Sequence, residues 1–257
     1  MSGRRYLQAD QPPGVPPLEL TGERTLPDVP EENYWYRRHL AVYEWIASRV
    51  AGLRVIDMAC GEGYGAAVLA GAAAEVIGVD ANPEAHAHAR LRYQAGNLSF
   101  ERGMIETFDA PCDAVVFLQT IEHVQDADAV LERFKSLTGP SGVVFVTTPN
   151  LLTIAPPGAE KSDNPWHIRE YRPAEFAALC RAHYPRVELY GLHHAGKLRV
   201  HAAALRLGWD AVHKRLRLTD RFYDRFTPAI SAGDFRLRLE AEARLDDALD
   251  FLAVLRP

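Results

Sequence analysis

Three glycines at alternate positions, Gly61, Gly63 and Gly65, follow an apolar run that contains the acid Asp57. Glycines let a ligand approach the backbone closely, because no Cβ intervenes. A second apolar run ends on another acid, Asp80, where a carboxylate can accept both hydroxyls of a ribose. These residues predict an adenosine-type cofactor held at the carboxyl end of a parallel sheet.

The spacing of the turn separates the possible cofactors. A nicotinamide-binding turn reads G-x-G-x-x-G and places a pyrophosphate at a helix N-terminus, whereas this turn reads G-x-G-x-G after an acid. An acid there would repel a pyrophosphate and suits a ligand with an ammonium group. The run Asp57-Met58-Ala59-Cys60-Gly61-Glu62-Gly63 resembles motif I of the class I S-adenosylmethionine (SAM) methyltransferases. The resemblance implies SAM as the cofactor, bound by two strand ends: Asp57, Ala59, Gly61, Gly63, Asp80 and Ala81.

Further cofactor contacts are implied by the same resemblance. Met104 and Ile105 follow the third predicted strand, where the family packs the adenine between apolar side chains. Gln119 ends the fourth predicted strand and would reach the cofactor pocket. Arg38, in the first predicted helix, would meet the methionine carboxylate.

An acid and an imidazole, Glu122 and His123, come just after the fourth predicted strand. Methyl transfer from a sulfonium depends mainly on alignment, and on removal of the proton from the acceptor hydroxyl. A neutral imidazole with a pKa near 6.5 can take that proton. We therefore predict His123 as the catalytic base and Glu122 as its partner.

A divalent metal is the second interpretation of this pair. Some relatives hold a metal through E-x-x-E-H at this place, together with a downstream histidine. The resemblance implies Glu122, His123 and His167 as ligands, although Gln119 replaces the first acid. One carboxylate and two imidazoles suit Mn²⁺ or Zn²⁺ better than Mg²⁺, and water in the open positions would still permit Mg²⁺. The sequence does not separate a metal site from a metal-free base.

Strand and helix patterns alternate from residue 33 onward. Strands are predicted near 53–58, 75–80, 98–101, 113–118 and 142–148, and helices near 33–50, 63–72, 82–95, 126–138 and 173–183. This alternation predicts an α/β fold with a doubly wound, mostly parallel sheet, which binds ligands at its carboxyl edge. In the methyltransferase family two last strands form an antiparallel hairpin at the sheet edge, and Val187–Leu192 and Leu249–Leu255 fit that role. The expected Rossmann-like sheet has seven strands.

Two segments lie outside this alternation. Residues 1–32 are rich in proline, which predicts an extended lid or tail before a methyltransferase domain over 33–257. Residues 195–247 form an insertion before the last strand, expected to be helical. An insertion of that length is usually functional, and we expect it to recognise the substrate or to form a homodimer.

The composition excludes several classes of protein. The 257 residues carry a net charge of −5, and no run of about 18 apolar residues is present. We therefore expect no membrane partner, and no general attraction to nucleic acid. The three cysteines have no C-x-x-C spacing, which indicates reduced thiols and a cytoplasmic protein.

The two ends of the chain carry a narrower resemblance. The segments 20–25, 32–39 and 245–250 are similar to actinobacterial sugar O-methyltransferases that act in the synthesis of methylmannose or methylglucose polysaccharides. This implies a sugar or oligosaccharide acceptor, methylated on a hydroxyl of a mannoside or glucoside. Three alternatives stay open: an RNA ribose methyltransferase, a phenolic small-molecule O-methyltransferase, and a non-catalytic SAM-binding interaction protein. The basic stretch 197–225, with eight Lys or Arg against three acids, permits RNA, and the overall acidity argues against it.

Overall fold

A computed structural model describes residues 5–6, 8, 11–21, 24–216 and 219–257. Parts of the predicted lid or tail, 1–4, 7, 9–10 and 22–23, lie outside the described residues. Ten strands are described: β1 Arg5–Tyr6, β2 Leu18–Glu19, β3 Arg54–Met58, β4 Glu75–Asp80, β5 Leu98–Arg102, β6 Ala114–Phe117, β7 Val143–Pro149, β8 Arg186–His194, β9 Phe235–Leu239 and β10 Asp250–Arg256. The helices are α1 Asn33–Ala47, α2 Tyr64–Ala70, α3 Pro83–Arg92, α4 Ala127–Thr138, α5 Leu151–Ile154, α6 Pro173–His183, α7 Gly196–Arg206, α8 Trp209–Leu216 and α9 Thr219–Phe226.

The main sheet contains eight strands in the order β5-β4-β3-β6-β7-β10-β8-β9. The strands from β3 to β7 are parallel, and β10 runs antiparallel between β7 and β8. The chain order reverses between the neighbours β3 and β6. Ligands of doubly wound sheets bind at such a switch point, beyond the carboxyl ends of the strands.

The core has two apolar layers, one on each face of the sheet. On one face, α4 and α6 bury Phe134 and Phe176 against the strand residues Phe117 and Phe251. On the other face, α1 and α2 pack Ile46 and Leu69 over the strand residue Val55. Because both faces are covered, the central strands are mainly apolar, as in other parallel sheets, and polar residues such as Asp57 and Thr148 come toward their carboxyl ends.

The predicted antiparallel pair is present, as β8 and β10, but the prediction of seven strands was wrong because the sheet has an eighth strand. The edge strand is β9, which lies inside the predicted insertion and pairs with β8, Leu192 opposite Leu237. Its sequence Phe-Arg-Leu-Arg-Leu alternates apolar and basic residues, the pattern of a strand with one covered face. The remainder of the insertion is largely helical (α7, α8 and α9). No helix of the described residues is long and apolar enough to cross a membrane.

Candidate active site

A cavity of about 470 Å³ opens at the carboxyl ends of β3, β6 and β7, next to the switch point. Its wall is formed by residues that follow these strands and by side chains of α1. Of the predicted site residues, the following share this wall: Ala59, Gly61, Gln119, Glu122, His123 and His167. The fold therefore brings the glycine turn and the acid–imidazole pair together at one cavity.

The turn after β3 requires its glycines for two different reasons. Gly61 and Gly63 have φ angles of 56° and 98°, in the left-handed region that side chains disfavour. A Cβ on Gly63 would lie 2.8 Å from the Cβ of Ala89, and a Cβ on Gly65 would lie 2.0 Å from the ring of Tyr43. Packing as well as ligand approach thus selects glycine here.

Asp80 holds the glycine turn in place. Its carboxylate accepts hydrogen bonds from the backbone N–H of Gly61 and of Asn82, both at 2.8 Å. A carboxylate has about four acceptor sites, so capacity is left for ribose hydroxyls. Asp80, Ala81, Met104 and Ile105 are not part of the cavity wall. The loop after β5 is joined to the end of β4 by the bond from Gly103 N–H to the Asp80 carbonyl.

Met104 keeps 54% of its surface exposed at this sheet edge. An exposed large apolar side chain beside a glycine turn is a suitable surface for an adenine ring. The roles of Asp80, Ala81, Met104 and Ile105 in cofactor binding stay predictions.

Asp57 is fully buried at the end of β3 and accepts hydrogen bonds from the Tyr43 hydroxyl at 3.2 and 3.4 Å. Burial raises the pKa of this carboxyl to about 8, against the opposing effect of the Tyr43 hydrogen bond. A bound cation would favour the ionised form. The structure thus gives Asp57 a place behind the cavity wall, where it would act on a ligand through its charge.

Arg38 does not have the position that the sequence predicts. Its guanidinium is buried and donates to both carboxylate oxygens of Asp250, and to the carbonyl of Leu249 at 2.7 Å. It is not part of the cavity wall, since α1 turns this side chain toward β10. The adjacent His39 does reach the wall, and burial lowers its pKa to about 4, so its imidazole is neutral at pH 7.

The segment before α1 places a different arginine, Arg24, at the cavity. Arg24 and Thr25 lie on the cavity wall. Thr25 is fixed there by its hydroxyl, which lies 3.1 Å from the Tyr64 hydroxyl and 3.4 Å from His39 Nδ1. Arg24 therefore replaces Arg38 as the cavity arginine suited to a ligand carboxylate. The sequence singled out this segment as a possible lid and as part of the sugar O-methyltransferase resemblance, without giving Arg24 a role in the site, and a moving lid stays a prediction.

Glu122, His123 and His167 offer ligand atoms that all lie within 4.8 Å of one another. His123 Nδ1 lies 3.0 Å from the carbonyl oxygen of Trp166, an atom that can only accept, so its lone pair is on Nε2. Glu122 is 1% exposed, and its Oε2 is a buried atom that makes no regular hydrogen bond in the described part of the chain, although the Thr148 hydroxyl is close enough to lower the pKa of this carboxyl. Burial raises the pKa of this carboxyl to about 8. An unpaired buried carboxylate oxygen is costly unless a cation or proton satisfies it.

The fold is a Rossmann-like methyltransferase fold, and comparison with known proteins agrees with it. A family model of the methyltransferase domain matches residues 33–195. A probable SAM-dependent methyltransferase of Mycolicibacterium smegmatis is 39% identical over 258 residues, which cover 93% of this chain and 96% of that protein. The chain therefore belongs to the SAM-dependent methyltransferase family and is an enzyme of that type.

Two further likenesses are more limited. A ubiquinone biosynthesis O-methyltransferase of Albidiferax ferrireducens is 34% identical over 158 residues, which cover 54% of this chain and 63% of that protein. A solved SAM-dependent methyltransferase of Thermotoga maritima, described as a possible histamine N-methyltransferase, has a TM-score of 0.56 at 15% identity. The match covers 88% of this chain and 95% of the Thermotoga maritima chain. This second likeness concerns the fold alone.

Replacing Asp80 with alanine is expected to weaken SAM binding by about 1–3 kcal/mol, the scale of hydrogen bonds to a charged group. The loss has two sources, the missing ribose contacts and the released Gly61 turn. Isothermal titration calorimetry with SAM measures it directly. Glu101→Ala on the exposed face of β5 is the control, and an unchanged Kd in Asp80→Ala would contradict the assignment.

Proposed function

We propose that this enzyme transfers a methyl group from SAM to a hydroxyl of a sugar, a mannoside or glucoside. The observation that supports this most strongly is the cluster of Glu122, His123 and His167 in the cavity that the glycine turn also lines. An O-methyltransferase needs a group that removes a hydroxyl proton beside the methyl donor. This cluster has the chemistry for that step.

The cavity residues have different roles in the proposed methyl transfer. Bound SAM supplies a strongly electrophilic methyl group, so the protein has mainly to align the acceptor with it. His123 lines the cavity, and its Nε2 would take the hydroxyl proton, since Nδ1 donates to the Trp166 carbonyl. Glu122 stabilises the imidazolium that results. The neutral His39 and Gly61 of the glycine turn line the same cavity.

The same residues also fit a divalent metal ion. Two imidazoles and one buried carboxylate, whose ligand atoms lie within 4.8 Å of one another, are a suitable donor set. A metal there would lower the pKa of the acceptor hydroxyl. By ligand softness we propose Mn²⁺ ahead of Mg²⁺.

The cavity wall supports a polyhydroxyl acceptor over an apolar one. Polar side chains of one loop, Ser162, Asp163 and Asn164, lie on it. Trp35, on the same wall, keeps 40% of its surface exposed. An exposed aromatic ring can stack on the apolar face of a sugar while the neighbouring polar groups bond its hydroxyls.

A phenolic acceptor is the second candidate. The partial likeness to a ubiquinone biosynthesis O-methyltransferase favours it, and the polar loop at the cavity argues against it. An RNA ribose or a purely cofactor-binding role has no comparable support.

Transfer of a labelled methyl group from SAM to short mannosides, glucosides and a catechol, with and without EDTA, tests the proposal. We expect product on one sugar series, and loss of product after EDTA that Mn²⁺ restores. Product on the catechol alone would overturn the sugar assignment. Turnover that EDTA leaves unchanged would leave His123 as a metal-free base.

A further inference from the structure

Glu170 is a buried acid that neither the sequence motifs nor the proposed mechanism uses. Its side chain is 2% exposed in the loop between α5 and α6. It accepts hydrogen bonds from the backbone N–H of Ser162 at 2.7 Å and from the Ser162 hydroxyl. Its Oε1 also lies 2.5 Å from Nδ1 of His167. The Glu170 carboxylate thus contacts both Ser162, which lies on the cavity wall, and His167, one of the three clustered residues.

The contact determines which nitrogen of His167 carries the proton. An ionised carboxylate only accepts hydrogen bonds, so Nδ1 of the neutral ring is the N–H donor and Nε2 has the lone pair. Nε2 accepts a hydrogen bond from the Asn164 amide N–H at 3.0 Å, so this amide has to turn away when Nε2 binds a metal. In metal sites a histidine that donates its other N–H to a carboxylate is fixed in orientation and made more basic.

Glu170 also shapes the acceptor side of the cavity. The bonds to Ser162 close the segment 162–170 into a compact loop, and within it Asn164 accepts the N–H of Trp166 at 3.0 Å. The carbonyl of that Trp166 is the acceptor for His123 Nδ1. Both histidines of the cluster are therefore oriented by this one loop.

We propose that Glu170 is a positioning residue that fixes the Nδ1–H tautomer of His167 for metal coordination and anchors the Ser162–Asn164 wall against which the acceptor lies. This rests on the metal site of the proposed function. A glutamine at 170 is almost isosteric, yet it offers an amide that can donate to Nδ1. It would then favour the opposite tautomer, whose Nε2–H cannot bind a metal.

Titration with Co²⁺, followed by its visible absorption and by calorimetry, is the first test. We expect Glu170→Gln to bind Co²⁺ about 10–100-fold more weakly than the wild type, the usual effect of removing such a partner, with SAM affinity unchanged. Glu160→Gln, the same chemical change at an exposed position of the same loop, is the matched control and should bind like the wild type.

The outcomes separate the two proposals. If the wild type binds no Co²⁺, the metal site of the proposed function fails, and this inference falls with it. If the wild type binds Co²⁺ and Glu170→Gln binds equally well, the metal site stands and the role of Glu170 is overturned.

A measurement on the wild type covers the case in which Glu170→Gln fails to fold. Long-range ¹⁵N–¹H correlation spectra of the metal-free protein at pH 8 report the tautomer of each imidazole. We expect the proton of His167 on Nδ1, and finding it on Nε2 would overturn the inference.

Discussion

His123→Ala is expected to lower kcat by at least about 100-fold, the smaller end of what a positioned acid or base contributes, while the Kd of SAM stays unchanged. The imidazole lies on the cavity wall, and its Nδ1 is held by the Trp166 carbonyl. Removing it takes away the proposed proton acceptor, which is also a proposed metal ligand. Single-turnover transfer of labelled methyl measures the chemical step, and calorimetry measures SAM binding.

The control for this variant is His183→Ala. His183 is the last residue of α6, lies between two surface acids, Asp128 and Glu132, and is not part of the cavity wall. It is expected to retain wild-type turnover. A His123→Ala enzyme with turnover near that of the wild type would remove His123 from the catalytic machinery, whatever its place in the cavity.

Arg38→Met is expected to destabilise the fold by about 3–5 kcal/mol, the cost of breaking a buried ion pair by removing one partner. The side chains of Arg38 and Asp250 are 5% and 1% exposed, so the single variant leaves an uncompensated charge inside the protein. The guanidinium also satisfies the carbonyl of Leu249. Urea unfolding followed by circular dichroism measures the change in free energy of unfolding.

The double variant Arg38→Met with Asp250→Leu provides the comparison. It removes both charges, and apolar replacements of a buried pair are often neutral or stabilising, so it should recover most of the lost stability. A single variant that loses less than about 1 kcal/mol would mean that water reaches Asp250. Such a result would also reopen the question of whether Arg38 can turn toward the cavity.

The sheet could be predicted because its central strands are continuous apolar runs separated by helical patterns. The helix predicted over 173–183 is α6, Pro173–His183, and Asn82 caps α3 by accepting from Glu84 N–H and Ala85 N–H. These features depend on local sequence. The glycine turn and the acid–imidazole pair were predictable for the same reason. Each follows a parallel strand, and the carboxyl ends of parallel strands lie at the same edge of the sheet.

Contacts between distant segments could not be predicted in this way. The structure buries Arg38 on a covered face of α1, but its partner Asp250 is 212 residues further along the chain, which local sequence does not show. Glu170 gives no signal of its own, because its role depends on how an irregular loop folds back on Ser162. The strand β9 had a signal, the alternation in Phe235–Leu239, which was missed because the whole insertion 195–247 was expected to be helical.

Two residues at the switch point, Ala59 and Gln119, have φ angles of 59° and 51° although neither is a glycine. They follow the neighbouring strands β3 and β6, and both lie on the cavity wall. A left-handed conformation outside glycine costs of order 1–3 kcal/mol and persists only where the surroundings enforce it. For protein engineering this defines a trade-off: glycine at Ala59 would relieve the backbone strain and would loosen the wall against which the reacting groups are aligned, and glycine at position 119 would also remove the hydrogen bond from Gln119 to Thr147.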